Sequence, residues 1–128
     1  MLVGAIVRVN GDKIHGIHKE AIDGSLDSLY QALEVDTIDI VVRKIGNKYY
    51  DIVCDDNGLL YDDDKIVVSA ISPTNKPMLV GNLFVCHHNE AGELTSLNDG
   101  EFSEIVENSI VCVDLRSGKH SKVLKIDF

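Results

Sequence analysis

Met78-Leu79-Val80-Gly81-Asn82-Leu83-Phe84-Val85-Cys86-His87-His88 is the longest hydrophobic run in the chain, and the turn residues Asn89-Glu90-Ala91-Gly92 close it. No charged side chain interrupts it, and it is bounded like a buried strand, so it reads as the central strand of a sheet. At its end, two adjacent histidines and a thiol meet a turn. Val53-Cys54-Asp55-Asp56-Asn57-Gly58 repeats the phrase, and Val111-Cys112-Val113-Asp114-Leu115-Arg116-Ser117-Gly118 repeats it more faintly. Each of the three cysteines follows a valine shortly before a glycine-bearing turn, which is the pattern of a strand end.

Working outward, Leu2 to Val9 is a β-branched run ending at Asn10-Gly11, the signal of a two-residue hairpin turn, with a polar return arm from Asp12 to His18. Ser25 opens a short helix as N-cap, and Leu26, Leu29, Tyr30 and Leu33 fall on one stripe at i, i+3, i+4 and i+7. Ile38 to Lys44 and Lys48 to Cys54 form a hairpin around Gly46-Asn47, and Ile66 to Ile71 reads as a further strand. Gly100 to Asn108 reads as a second helix with Phe102, Ile105 and Val106 inward. Ser109 to Leu115 and His120 to Ile126 make a closing hairpin. The fold class is therefore α+β: a mainly antiparallel β-sheet built of hairpins with two short helices, in a single domain over 1–128.

Composition narrows the function. The chain has 128 residues, 45% of them hydrophobic, with only 5% aromatic and no tryptophan, so Ile, Val and Leu must supply the core. The net charge of -9 argues against direct nucleic-acid binding, which needs a basic surface to neutralise phosphates. It suits a basic protein partner or mimicry of nucleic-acid charge. An odd number of cysteines without framework spacing points to reduced thiols and a cytoplasmic location. The apolar start, Met1 to Val7, is too short for a signal peptide, and no run reaches the roughly 20 apolar residues of a membrane span.

Zinc is the sharpest chemical expectation, because tetrahedral sites draw nitrogen and sulfur ligands from two short segments. His15-x-x-His18 supplies one pair and Cys86-His87-His88 the other, with Cys54, Cys112 and His120 as further donors. In an extended strand Cys86 and His88 share one face and His87 takes the opposite one. Cys86 with His88 is therefore the expected half-site, completed by His15 and His18. The same geometry separates Cys86 from His87 as nucleophile and base, and no Walker, dinucleotide-binding or nucleophile-elbow glycine pattern is present. No catalytic residue is assigned, and the chain is expected not to be an enzyme. The carboxylates Asp62, Asp63 and Asp64, together with Glu101, Glu104 and Glu107 on the second helix, are expected to present acidic rows to a partner.

Several phrases carry a resemblance. They are Gly24-Ser25-Leu26-Asp27-Ser28-Leu29, Ile52-Val53-Cys54-Asp55-Asp56-Asn57-Gly58-Leu59-Leu60, Met78 to Val85, and Gly100-Glu101-Phe102-Ser103-Glu104-Ile105. Over roughly residues 20 to 107 the chain resembles an uncharacterised small domain family of phages and mobile elements of Gram-positive bacteria. It departs where Asp55-Asp56-Asn57-Gly58 replaces a more usual Asn-Glu-x-Gly turn, and where Asn75 lacks the usual following arginine. The resemblance supplies no catalytic residues. It implies an accessory protein of a mobile element, similar in size and charge to anti-CRISPR proteins that act on Cas9. The expected function is stoichiometric inhibition of such a host nuclease, with a structural zinc site. A sponge for a nucleotide-like signal and a metal-dependent hydrolase are the alternatives, and open strand edges also raise homo-oligomerisation.

Overall fold

The computed structural model describes residues 1–57, 67–113, 115 and 117–128. The architecture is α+β and mostly antiparallel, with two short helices. In chain order the elements are β1 (Leu2–Arg8), β2 (Gly16–Ile22), α1 (Leu26–Leu33), β3 (Ile38–Ile45), β4 (Lys48–Asp55), β5 (Val68–Ile71), β6 (Pro77–Val80), β7 (Leu83–His88), β8 (Leu94–Thr95), α2 (Asp99–Glu107), β9 (Ser109–Val113) and β10 (His120–Lys125). The larger sheet runs β2-β1-β7-β4-β3, with β8 added to the end of β7. The smaller sheet runs β6-β5-β10-β9, and its β5–β10 pair is parallel.

The long hydrophobic run is two strands, not one. It breaks at Gly81-Asn82, where Gly81 takes φ 76, and its halves join different sheets: β6 is an edge of the smaller and β7 lies at the centre of the larger. Hydrophobicity alone could not locate that break, because both halves are apolar. The physical cause is Asn82, a buried amide that serves backbone on two other elements. Its Oδ1 accepts from the N–H groups of Val9 (2.9 Å) and Asn10 (3.0 Å), and its Nδ2 donates to the carbonyls of Leu33 (3.0 Å) and Asn10 (3.3 Å).

This docking also overrides the expected two-residue turn at Asn10-Gly11. With its amides held by Asn82, the chain leaves β1 after Arg8 and pairs again only at Gly16. The hairpin over 38–55 does turn in two residues: Ile45 faces Lys48, and Gly46 takes φ 63. The closing hairpin also forms, with Val113 opposite His120. The expected strand over 66–71 is seen as β5 from Val68.

The larger sheet is covered on both faces at its centre. On one face α1 lays Leu29, Ala32 and Leu33 over Leu2, Ile6, Ile22, Val53, Phe84 and Cys86. Ser25 caps that helix, accepting from the Ser28 N–H at 3.1 Å. Leu26, expected on the buried stripe, lies exposed at the first turn. On the other face Ala5, Val7, Tyr50, Ile52 and Val85 share one core with Ile105 of α2 and with Ala70, Leu124 and Ile126 from the smaller sheet and the tail after it. Gly4 is required where β1 crosses β7, because a Cβ there would lie 2.5 Å from the Val85 carbonyl oxygen and 2.6 Å from the Phe84 ring. No helix among the described residues is long and apolar enough to cross a membrane.

Candidate functional site

The polar end of β7 lies between β4 and β8, and strand alternation sorts its side chains as the sequence implies: Cys86 and His88 on the α1 face, His87 on the α2 face. Cys86 is fully buried among the residues beneath α1. Burial first, and then the negative charge of Asp51, pushes its thiol up to about 12. Cys54 is buried on the opposite face, where burial and the carboxylates of Asp39, Asp55 and Asp56 push its thiol up to about 11. Thiols held protonated in this way are poor nucleophiles and poor metal ligands near neutrality, since both roles need the thiolate.

His88 is half-exposed, and its Nδ1 meets Asp51 Oδ2 at 2.6 Å. Asp51 is itself buried and stands opposite Cys86 in the β4–β7 register. The carboxylate therefore fixes the imidazole and leaves Nε2 as the polar atom facing outward. On the other face His87 stacks on Tyr50 with ring centroids 4.8 Å apart and 17° between planes, and its Nε2 contacts Glu101 Oε2.

Glu101 closes a capping box. Its backbone N–H donates to Asn98 Oδ1 at 2.8 Å, its Oε1 accepts from the Asn98 N–H at 3.0 Å, and Lys48 Nζ lies 3.6 Å from Oε2. Burial pushes its carboxyl up, but the bonds from Asn98 and His87 and the charges of His87 and Lys48 outweigh it and hold the group below its ordinary range. The Tyr50 hydroxyl donates to Glu104 Oε1 at 2.9 Å; burial and the Glu104 carboxylate push the phenol well above its ordinary range.

This corrects the expected acidic row on α2. Glu101 and Glu104 turn toward the sheet, because His87 and Tyr50 put donors beneath them; only Glu107 is exposed. Asp62, Asp63 and Asp64 lie outside the described residues. The zinc donors are also dispersed. His15 Nε2 bonds the Gly11 carbonyl at 3.0 Å and His18 Nε2 the His15 carbonyl at 3.1 Å, so this pair closes the β1–β2 connection. His87 and His88 are engaged by Glu101 and Asp51. Among the described residues no three His, Cys, Asp or Glu side chains converge as a metal ion would require.

The sequence reading missed Tyr50 and Asp51, the partners of the two histidines. The available signal was an acid inside the apolar β4 strand, since a buried carboxylate needs a partner.

The α1 face holds one more feature. α1 covers the centre of the sheet and leaves the β3 side bare, so Ile40 (44% exposed), Val42 (47%) and Tyr49 (57%) stand in the open. Register puts Val42 opposite Asp51 and Tyr49 opposite Lys44, so these apolar side chains adjoin the Asp51–His88 pair. Together they form an apolar patch with a fixed polar group at its margin.

No curated protein and no solved structure matches the chain. A family model described as a domain of unknown function, DUF3846, matches residues 5–114, from the second half of β1 through β9, and the chain belongs to that family.

Proposed function

We propose that this protein is a non-catalytic binding module that docks stoichiometrically on a basic protein surface through the bare β3–β4 face. The observation that carries the reading is the patch of Ile40, Val42 and Tyr49 beside the Asp51–His88 pair. Exposed apolar groups grouped together and rimmed by polar ones are typical of protein interaction sites. The net charge of -9 selects a basic partner and speeds encounter with it.

With the resemblance to proteins of phages and mobile elements, the partner class is a host defence nuclease, and Cas9 is the specific candidate. Its basic channels for guide and target strands offer a complementary surface, so the expected effect is a block on nucleic-acid loading. The signal-sponge alternative finds less support. The recess of about 600 Å³ beside Met1 and Leu2 is lined by Asp23 and Glu93 and by no basic side chain, a poor match for a phosphorylated ligand. The smaller one of about 290 Å³ sets Asp127 beside Lys44 and Lys125, and so offsets its own positive charge.

Titration calorimetry against purified Cas9 tests the proposal. It predicts one chain bound per nuclease, affinity that falls with salt, and displacement by guide or target nucleic acid. Absence of heat with Cas9 in both guide-free and guide-loaded forms overturns the Cas9 assignment. Binding unaffected by Ile40→Asp with Val42→Asp overturns the docking face.

A further inference from the structure

We infer that the outer edge of β3 pairs with the same edge of a second copy of this chain, giving an antiparallel, two-fold symmetric dimer centred on Ile40. β3 is an outer strand of the larger sheet, with β4 at its inner side. Lys44 shows which backbone groups face out: its N–H donates to the Asp127 carbonyl at 2.8 Å, and its carbonyl accepts from the Asp127 N–H at 2.9 Å. Backbone groups of alternate residues in a strand point the same way, so those of Val42, Ile40 and Ile38 face out as well. Side chains of β3 itself hold two of them. The Ile40 N–H donates to Asp39 Oδ1, and the Val42 carbonyl accepts from Arg43 Nη1, both at 2.8 Å.

Charged side chains ordinarily guard an edge against another strand. On β3 they are of opposite sign and ordered along the strand, with Asp39 near its start and Arg43 and Lys44 near its end. An antiparallel copy therefore sets the acid of each strand toward the bases of the other, and that match selects a second copy as the occupant. The tail after β10 fixes the register. Asp127 fills the lane beside Lys44, and Phe128 follows it beside Arg43, with its ring 5.0 Å from the guanidinium carbon. A mate has room from Val42 back to Ile38, where its own strand begins. A centre one residue earlier would set Asp39 against Asp39, and one residue later would bring Ile38 onto the backbone that Asp127 already holds.

Centred on Ile40, the pairing sets Ile38 opposite the mate's Val42, and Ile38, Ile40 and Val42 each exchange both backbone bonds with the mate. The Ile40 N–H and the Val42 carbonyl thus trade side-chain partners for backbone ones. The freed Asp39 carboxylate then lies on a diagonal from the mate's Arg43, at roughly 7–8 Å between backbones, a span that a guanidinium side chain crosses. On the α1 face Ile40 (44% exposed) and Val42 (47%) run on into the same row of the mate. A large partner docked across this face would overlap the mate, so the dimer and a one-to-one partner complex are alternative states of the chain.

Light scattering on the full chain tests this dimer. The expected mass at high concentration is twice the 14.1 kDa of one chain, falling toward one chain on dilution. Asp39→Arg alone and Arg43→Asp alone should each give single chains with an unchanged far-ultraviolet spectrum, because each sets like charges on the diagonal. An equimolar mixture of the two variants should return to the dimer mass, since one then carries both bases and the other both acids. A single-chain mass of the parent protein at the highest soluble concentration overturns the dimer. A dimer that survives both single substitutions puts the interface elsewhere and overturns it too, as do natively folded variants that stay single when mixed. If a charge variant loses its native spectrum, Ile40→Cys with Cys112→Ser decides instead. The two introduced thiols would face each other with Cα atoms roughly 5.5 Å apart, within disulfide range; Cys54 and Cys86 are buried. A disulfide-linked dimer on mild oxidation supports the pairing, and none overturns it.

Discussion

Replacing Asn82 by leucine keeps the side-chain volume and removes four hydrogen bonds at the junction of β1, α1 and the two sheets. Two of the four partners, the Val9 N–H and the Leu33 carbonyl, sit in buried surroundings and find no water to replace the amide. A buried orphan costs about 1–3 kcal/mol, and a part-buried bond nets about 0.5–1.5 kcal/mol. The Asn10 contacts are of the second kind. Because the four share one side chain, the sum is not additive, and about 3–5 kcal/mol is the expected loss. Against the stability of a typical domain, about 5–15 kcal/mol, that is at least about a fifth. At about 3–5 °C per kcal/mol for a chain of this length, Tm should fall by roughly 10–20 °C.

Circular dichroism through thermal and urea unfolding measures the loss, with the urea slope unchanged if the native fold persists. Asn82→Asp serves as a control. It keeps the acceptor toward Val9 and Asn10 but sets a carboxylate against the Leu33 carbonyl, so the introduced carboxyl is favoured in its protonated form. Its deficit should therefore shrink as pH falls through the carboxyl's raised folded value. An Asn82→Leu protein within about 1 kcal/mol of the parent would refute the claim that this amide holds the junction.

Three other outcomes follow from the site. In the native protein a thiol reagent at neutral pH should label Cys112 and spare Cys54 and Cys86, whose thiols burial raises to about 11 and about 12; mass spectrometry after digestion reads this, and equal labelling of Cys86 contradicts it. The Glu101 carboxyl is held below its ordinary range, so the stability it adds is complete above the unfolded value, about 4.3 for glutamate, and is lost as pH falls through the lower folded value. Glu101→Gln should therefore lower Tm at neutral pH and flatten the curve below about pH 4; a parallel curve means the capping box and His87 do not favour the charged form. Adding zinc or a chelator should leave Tm unchanged, because His87 and His88 are engaged by carboxylates and the His15–His18 pair closes its own loop; stoichiometric zinc with a raised Tm would restore the expected metal site.

Local chemistry was legible in the sequence wherever it decided the outcome alone. The Ser25 cap, the Gly46-Asn47 turn, the closing hairpin and the division of Cys86 and His88 from His87 all follow from rules that act within a few residues. What escaped depends on distant partners. Gly81-Asn82 splits the hydrophobic run because Asn82 serves Val9, Asn10 and Leu33, which are far away in sequence. The same bonds displace the turn expected at Asn10-Gly11. Glu101 and Glu104 have the spacing of a solvated helix face, and only the positions of His87 and Tyr50 show that they point inward. The parallel β5–β10 pair joins Ala70 to Leu124, strands from the middle and the end of the chain, beyond the reach of any hairpin rule. Of the candidate site, the histidines and Cys86 could be named from sequence, whereas Asp51, Tyr50 and the bare β3 face needed the register of β4 against β7.

A cleavage titration puts stoichiometric inhibition to the most direct test. Cas9 is mixed with increasing amounts of this protein before guide and target are added, and cut target is quantified. The account predicts a linear fall in cleavage that ends at one chain per nuclease, with inhibition lost in Ile40→Asp with Val42→Asp. Full cleavage in the presence of excess protein contradicts the nuclease assignment. Complete inhibition by far less than one chain per nuclease contradicts a binding mechanism and points to turnover.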